Sequence, residues 1–259
     1  MTLIIGLLAG IFGGLLGVGG GVVMIPLMVR MAKVSQHTAH GTSLAALVFI
    51  GSAGAVTYTL NGAVDVLAAV LLATTAIITA HFGARFANSL PEWKLKRYFG
   101  IFIILMSCLL LLKPHLPRVV ISHVGFMKAL VLMTTGAATG FLSGMMGVGG
   151  GVIMVPVMVL LAGMDQHTAQ GSSLLTMVPV GIAGAWTHLR LGNVQTRLLR
   201  GLIPGAIAGS YLGGTAANLL PEDDLRIIFC VILIWMGVRY IRASLVKNLP
   251  RTEHIPEDV

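Results

Sequence analysis

The sequence predicts an all-α protein that crosses a membrane several times and is built from two homologous halves. Three observations carry this. Hydrophobic residues make up 56% of the 259-residue chain and charged residues only 10%, against about 25% charged in soluble domains. The apolar residues fall in runs of about 20, the length a helix needs to span a bilayer. Adding 130 to a residue number carries the first half onto the second without a gap, and residues 14–44 match 144–174 at 19 of 31 positions. The match fades later but stays in register, with "ANSLPE" at 87–92 meeting "ANLLPE" at 217–222. The alternating ten-residue strands of a membrane β-barrel are not seen.

The chain opens with residues 3–29, an apolar stretch interrupted by "GVGGGVVMIP" from Gly17. Residues 3–16 make about 21 Å of helix, short of the roughly 30 Å hydrocarbon core of a bilayer. A half-helix that stops inside the membrane and folds back as a hairpin is the simpler reading. The opening "MTLIIGLLAGIFGG" lacks the basic start of a signal peptide and its continuation recurs inside the chain, so it reads as structure. Three spans follow, near 42–60, 66–88 and 98–113. The second glycine stretch, 126–163, has more residues before Gly147, so a longer first arm is expected there. Spans near 171–189, 197–220 and 225–245 complete the second half. The expected division is a first transmembrane repeat at 1–112, a linker at 113–125, a second repeat at 126–245 and a polar tail at 246–259.

Loop charge orients the halves. If every segment crossed once, the halves would be parallel and the two membrane faces would hold 7 and 10 of the 17 Lys and Arg residues. If each glycine stretch folds back, the halves are inverted and the faces hold 13 and 4. Lys and Arg concentrate in cytoplasmic loops, so inverted halves are expected, with the C-terminus in the cytoplasm. The net charge of +8 is absorbed by those loops and implies no nucleic-acid partner.

The glycine phrases are the first candidate site. Gly17, Gly19, Gly20 and Gly21 recur as Gly147, Gly149, Gly150 and Gly151. A break between two half-helices frees N–H groups at the start of the second one. Those groups, with the helix dipole, favour an anion. Irregular backbone inside a bilayer survives only when buried in protein or lining a wet cavity. Inverted halves would bring both breaks to the midplane, where discontinuous-helix transporters place their substrate. Close helix packing explains any single glycine equally well; the two breaks together favour a site. The phrase lacks the G-x-G-x-x-G spacing and the lysine of nucleotide loops.

Each break is followed by a polar phrase, "QHTAHGTSL" or "QHTAQGSSL". Thr38 and Thr168 read equally as caps of the next helix or as site residues. Thr42, Ser43, Ser172 and Ser173 lie deeper, where a hydroxyl can bond its own helix or donate to an anion. Gln36, His37, Gln166 and His167 are candidates for coupling or gating. The two histidines read first as interfacial or structural groups, and only second as proton carriers. His40 faces Gln170 in the second copy, so a symmetric role for it is not expected, and His81 and His188 read as packing residues.

All nine acidic residues sit near span ends, in loops or in the tail. No intramembrane carboxylate relay is visible. The two cysteines, Cys108 and Cys230, imply neither a disulfide framework nor a metal site. No cofactor is expected. HExxH and GxSxG motifs are absent, so an intramembrane enzyme is disfavoured.

The paired "GVGGGxxMxPxMV" segments, each followed by "HTAxG(T/S)SL", resemble the sulfite exporter TauE/SafE family of membrane permeases over about residues 3–245. The resemblance implies a non-enzymatic anion permease of the bacterial cytoplasmic membrane. It implies a small sulfur-containing substrate, such as sulfite or an organosulfonate, bound at the glycine breaks and the "TSL" and "SSL" helix starts. A cytoplasm-negative potential drives anions outward by about 2.3 kcal/mol per charge per 100 mV, which favours export. The rival readings are a proton-coupled importer, an anion channel and a membrane scaffold. The expected partners are the substrate and the lipid bilayer, and the sequence leaves room for a homo-oligomer.

Overall fold

A computed structural model describes residues 1–86, 92–113, 125–147 and 149–246, without the side chains of 92–96 and 246. Most of the expected linker, the tail from residue 247 and Val148 inside the second glycine phrase lie outside the described residues. Within them the chain forms ten helices and no strand.

The helices pair at the same offset as the sequence. The first half contributes α1 (Thr2–Leu16), α2 (Gly21–Met31), α3 (Gln36–Leu60), α4 (Val66–Phe86) and α5 (Glu92–Leu112). The second contributes α6 (Gly125–Met146), α7 (Gly151–Leu160), α8 (Gln166–Arg190), α9 (Thr196–Leu219) and α10 (Glu222–Val246). Each glycine stretch is thus two helices. At 10 and 11 residues, α7 and α2 are only about 15–17 Å long and cannot cross a bilayer. The first arm is longer in the second half, with 22 residues in α6 against 15 in α1.

The principal contacts run between halves. On α1, Gly6, Gly10 and Gly14 lie against the backbone of Leu202, Ala206 and Ser210 on α9, so these helices run parallel. On α6, Gly136, Gly140 and Gly144 lie against Leu72, Ala76 and Ala80 on α4 in the same sense. Small residues four apart let backbones touch, the main source of helix association in lipid. The central helices α3 and α8 run antiparallel, with Gly41 against His188, Gly51 against Leu174, and Gly171 against Tyr58. At the flank α5 and α10 are also antiparallel, with Gly100 against Gly237 and the Phe99 ring 5.7 Å from Tyr240.

The outer surface carries large apolar side chains. Leu60 is 78% exposed, Phe126 77% and Leu219 81%. Such a surface suits lipid, not water. Four helices, α3, α4, α6 and α10, are long and apolar enough to span a membrane.

The glycine seams yield a test. A Cβ at Gly140 would overlap the Ala76 carbonyl, whereas one at Gly125 meets nothing within 4 Å. Gly140→Leu is expected to destabilise the fold by at least about 1–3 kcal/mol, read as a fall in melting temperature in detergent. Gly125→Ala should leave that temperature unchanged.

Candidate functional site

Each break is a sharp reversal. Gly17 closes α1 in the left-handed conformation, with φ 67° and its N–H donating to the Gly13 carbonyl at 2.9 Å. Gly147 does the same with φ 64°, donating to Ser143 at 2.7 Å. A left-handed glycine is the common helix stop because a side chain there is strained. Gly19 and Gly149 also have positive φ, at 91° and 87°. The chain then turns back on itself. A Cβ at Gly20 would overlap the Ala9 carbonyl, and one at Gly150 would overlap Thr139, the residue equivalent to Ala9. The segments are therefore hairpins.

The two hairpin tips meet. A Cβ at Gly149 would lie 2.5 Å from the Val18 oxygen and 3.5 Å from the Gly19 Cα, and one at Gly151 would overlap the Gly17 oxygen. Both tips sit between Leu47 and Met177. Each of these is the twelfth residue of a 25-residue helix, so the breaks lie near mid-height. A cavity of about 350 Å³, lined by Ser52, Val56, Thr59, Leu175 and Val178, opens on the outer surface between α3 and α8.

Side chains of one half hold the backbone of the other. Ser173 donates to the Gly17 carbonyl at 2.6 Å, and Ser43 donates to the Gly147 carbonyl at 2.8 Å. Each also reaches its own helix, at Gln170 and His40, both at 2.8 Å. Thr42 accepts from the Gln195 N–H at 3.0 Å, and Ser172 accepts from the Asp65 N–H at 2.8 Å. Those amides precede α9 and α4. Every bond has a counterpart 130 residues away.

A second pair of groups caps the same half-helices. The Tyr58 hydroxyl is 3.2 Å from the Gly14 carbonyl and 2.8 Å from Gln170 Oε1. At the equivalent place His188 Nε2 donates to the Gly144 carbonyl at 3.2 Å. One carbonyl near the end of α6, that of Gly144, thus has a side-chain donor, and Gly14 near the end of α1 shares the single Tyr58 proton with Gln170. The donor ends of α2 and α7 are preceded by Gly20 and Gly150, which have no side chain to cap them.

The expected site residues divide. The eight glycines converge. Ser43 and Ser173 hold the Gly147 and Gly17 carbonyls, whereas Thr42 and Ser172 face the amides of Gln195 and Asp65 ahead of α9 and α4. Thr38 and Thr168 do not converge: at nine residues before Leu47 and Met177, they stand about 14 Å away along the helix. Nor do they cap their helices. The caps are Ser35 and Asp165, which accept from the N–H of Thr38 at 3.1 Å and of Thr168 at 2.8 Å. The helices begin at Gln36 and Gln166, about six residues earlier than the apolar runs indicate, because these caps stop them there.

Gln36 is half-buried and His37 exposed at the start of α3. Gln166 is fully buried, with both side-chain amide atoms unpartnered. Its backbone N–H donates to Glu222 at 3.3 Å, and Glu222 pairs with Lys113 at 3.7 Å and Arg226 at 3.8 Å. His167 Nε2 lies 3.1 Å from the Ala217 carbonyl and 3.2 Å from that of Leu220, at the end of α9.

Sequence reading missed Tyr58 and Gln170 and treated His188 as packing. The signal was present: Tyr58 and His188 are polar residues at equivalent positions near the ends of α3 and α8, and His40 and Gln170 are equivalent near their starts. The dissimilarity within each pair hid the equivalence. Among the described residues no cluster of His, Cys, Asp or Glu could hold a metal.

An apolar exterior around crossed hairpins, with four helices long enough to span a bilayer, defines a polytopic membrane protein. Comparison with known families narrows this: the model of the sulfite exporter TauE/SafE family matches residues 2–240, and the chain belongs to that family. It is 29% identical to the probable membrane transporter protein YunE of Bacillus subtilis, over 93% of this chain and 96% of that one. It is 27% identical to the probable membrane transporter protein YdhB of the same organism, over 87% and 93%. A shorter match, 29% identical over 38% of this chain and 22% of the other, is to sulfite exporter TauE/SafE family protein 5 of Arabidopsis thaliana. No solved structure matches.

Removing the serine hydroxyls tests their structural share. Ser43→Ala and Ser173→Ala each strip a buried carbonyl of its donor, which should cost about 1–3 kcal/mol. The check is a thermal melt in detergent, where both variants should melt earlier, and by similar amounts.

Proposed function

We propose that the protein is a secondary permease that exports a small sulfur-containing oxyanion, sulfite or a short organosulfonate, through a midplane site where the two glycine breaks meet. The observation that carries this reading is the opposite treatment of the two helix ends at each break. Side chains reach the acceptor ends: Ser173 and Ser43 donate to Gly17 and Gly147, His188 donates to Gly144, and the Tyr58 hydroxyl lies against Gly14. Donor ends are preceded by glycine alone. The Gly21 N–H donates to the Gly19 carbonyl at 2.8 Å, but no side chain covers the positive end of either helix dipole, and such an end attracts an anion. The family supplies the sulfur chemistry.

In this reading the backbones of Gly17, Gly19, Gly20, Gly21 and of Gly147, Gly149, Gly150, Gly151 form the substrate cradle. Thr42, Ser43, Ser172 and Ser173 position it, and Thr38 and Thr168 stand at its two approaches. The halves, 1–112 and 126–245, are inverted in the bacterial inner membrane with the C-terminus in the cytoplasm. The antiparallel course of the equivalent helices α3 and α8, together with the 13-to-4 split of Lys and Arg, supports that orientation. Gln166 and His167, beside the Lys113–Glu222–Arg226 cluster, act as a gate on one face, and Gln36 and His37 hold the equivalent place on the other. Access alternates as one part of the bundle rocks against the other, and the membrane potential drives the anion outward.

Flux in proteoliposomes checks this. Labelled sulfite or a short sulfonate should enter or leave as an imposed potential directs. Gly20→Leu combined with Gly150→Leu should reduce the rate at least about tenfold, because both side chains fill the turn. Equal flux in the variant and the parent would show that the glycines only pack.

A further inference from the structure

The shell around the two breaks is not fully symmetric. Its serines and glycines repeat, but two of its polar positions differ. Tyr58 and Gln170 form one pair, bonded at 2.8 Å. The equivalent positions hold His188 and His40. Three of these four residues are built into the wall, and His40 is half-buried. Tyr58, Gln170 and His188 are at most 2% exposed. Each pair leaves a buried polar atom without a partner: Gln170 Nε2 in the first, His188 Nδ1 in the second.

These atoms cannot serve one substrate at one moment. Gln170 and His188 are 18 residues apart on α8, about 27 Å along the helix. Gln170 adjoins Gly17, and His188 caps the half-helix that ends at Gly147. They therefore flank the paired breaks on opposite sides, one toward the start of α8 and the other toward the start of α3.

The chemistry of the two flanks follows. With its carbonyl oxygen taken by Tyr58, Gln170 offers an NH₂ group, a hydrogen-bond donor for an oxyanion at any physiological pH. With Nε2 donating to Gly144, neutral His188 presents a bare acceptor at Nδ1. Protonation turns that atom into a donor and adds positive charge, both favourable to an anion. The groups facing His188 do not supply a carboxylate. From α3 His37 approaches and Gly41 lies against His188, and from α4 His81 bonds the neighbouring Thr187 at 3.0 Å. On α4 Arg85 is exposed, and on α8 itself Arg190 stacks over Trp186 at 5.0 Å. The helix α7 has no titratable residue, Lys128 of α6 pairs with Asp65 at the far end, and α10 meets α8 at Gln166.

We propose that the permease has two unequal oxyanion half-sites: a pH-independent one at Tyr58–Gln170 and a proton-dependent one at His188, beside His40. This rests on the permease reading above and adds which side chains meet the anion on each flank. It makes affinity follow the proton concentration on one face of the membrane only, the face where α3 begins.

The duplication supplies its own variants, since each pair shows what the other position accepts. The probe is a short alkanesulfonate, whose charge stays fixed between about pH 6 and about pH 8. In proteoliposomes the parent should lose at least about fivefold in apparent affinity as pH rises across that range, because only a protonated His188 donates from Nδ1. H40Q combined with H188Y should flatten the dependence, and Y58H combined with Q170H should steepen it. A parent whose affinity ignores pH, or an H40Q/H188Y variant that keeps the parent's slope, would overturn the proposal while leaving the permease intact. No sulfonate flux at any pH would overturn the permease reading, and this one with it.

Discussion

Backbone polar groups have no water to turn to inside a bilayer, and this constraint organises the molecule. A helix interrupted at mid-height exposes carbonyls and amides that would cost several kcal/mol each if left bare. Here the carbonyls at each interruption are met by side chains. Ser173 reaches Gly17 and Ser43 reaches Gly147, each from the opposite half. Each hairpin tip is thus held in part by the other half.

The same interdependence sets which parts can move together. The glycine seams join α1 to α9 and α6 to α4, and each seam crosses between halves. Thr42 and Ser172 add bonds at the starts of α9 and α4. Any rigid unit that keeps these seams intact contains helices from both halves. The antiparallel pairs α3–α8 and α5–α10 lie where such units meet their counterparts.

Symmetry of fold does not impose symmetry of chemistry. The hydroxyl and glycine shell repeats because it solves a backbone problem common to both halves. The tyrosine, glutamine and histidine positions solve that problem only in part: Tyr58 and His188 each cap a carbonyl, but so would other donors. Their freedom to differ is where the two faces of a transporter can acquire distinct behaviour.

The sequence by itself determined the helical membrane class, the offset of 130 and the two places where the helix must break. Hydrophobic length, repetition and glycine's lack of a side chain act locally, so they are legible in one dimension. It also pointed to Ser43 and Ser173 but left their partners open, because a hydroxyl's bond depends on which backbone arrives beside it. Only the tertiary structure decided that the arriving backbone is the other half's glycine turn. It likewise moved the helix caps from Thr38 and Thr168 to Ser35 and Asp165, and brought Tyr58 onto Gln170 across 112 residues. Those outcomes depend on long-range register between α3 and α8, which antiparallel packing fixes and no local pattern records.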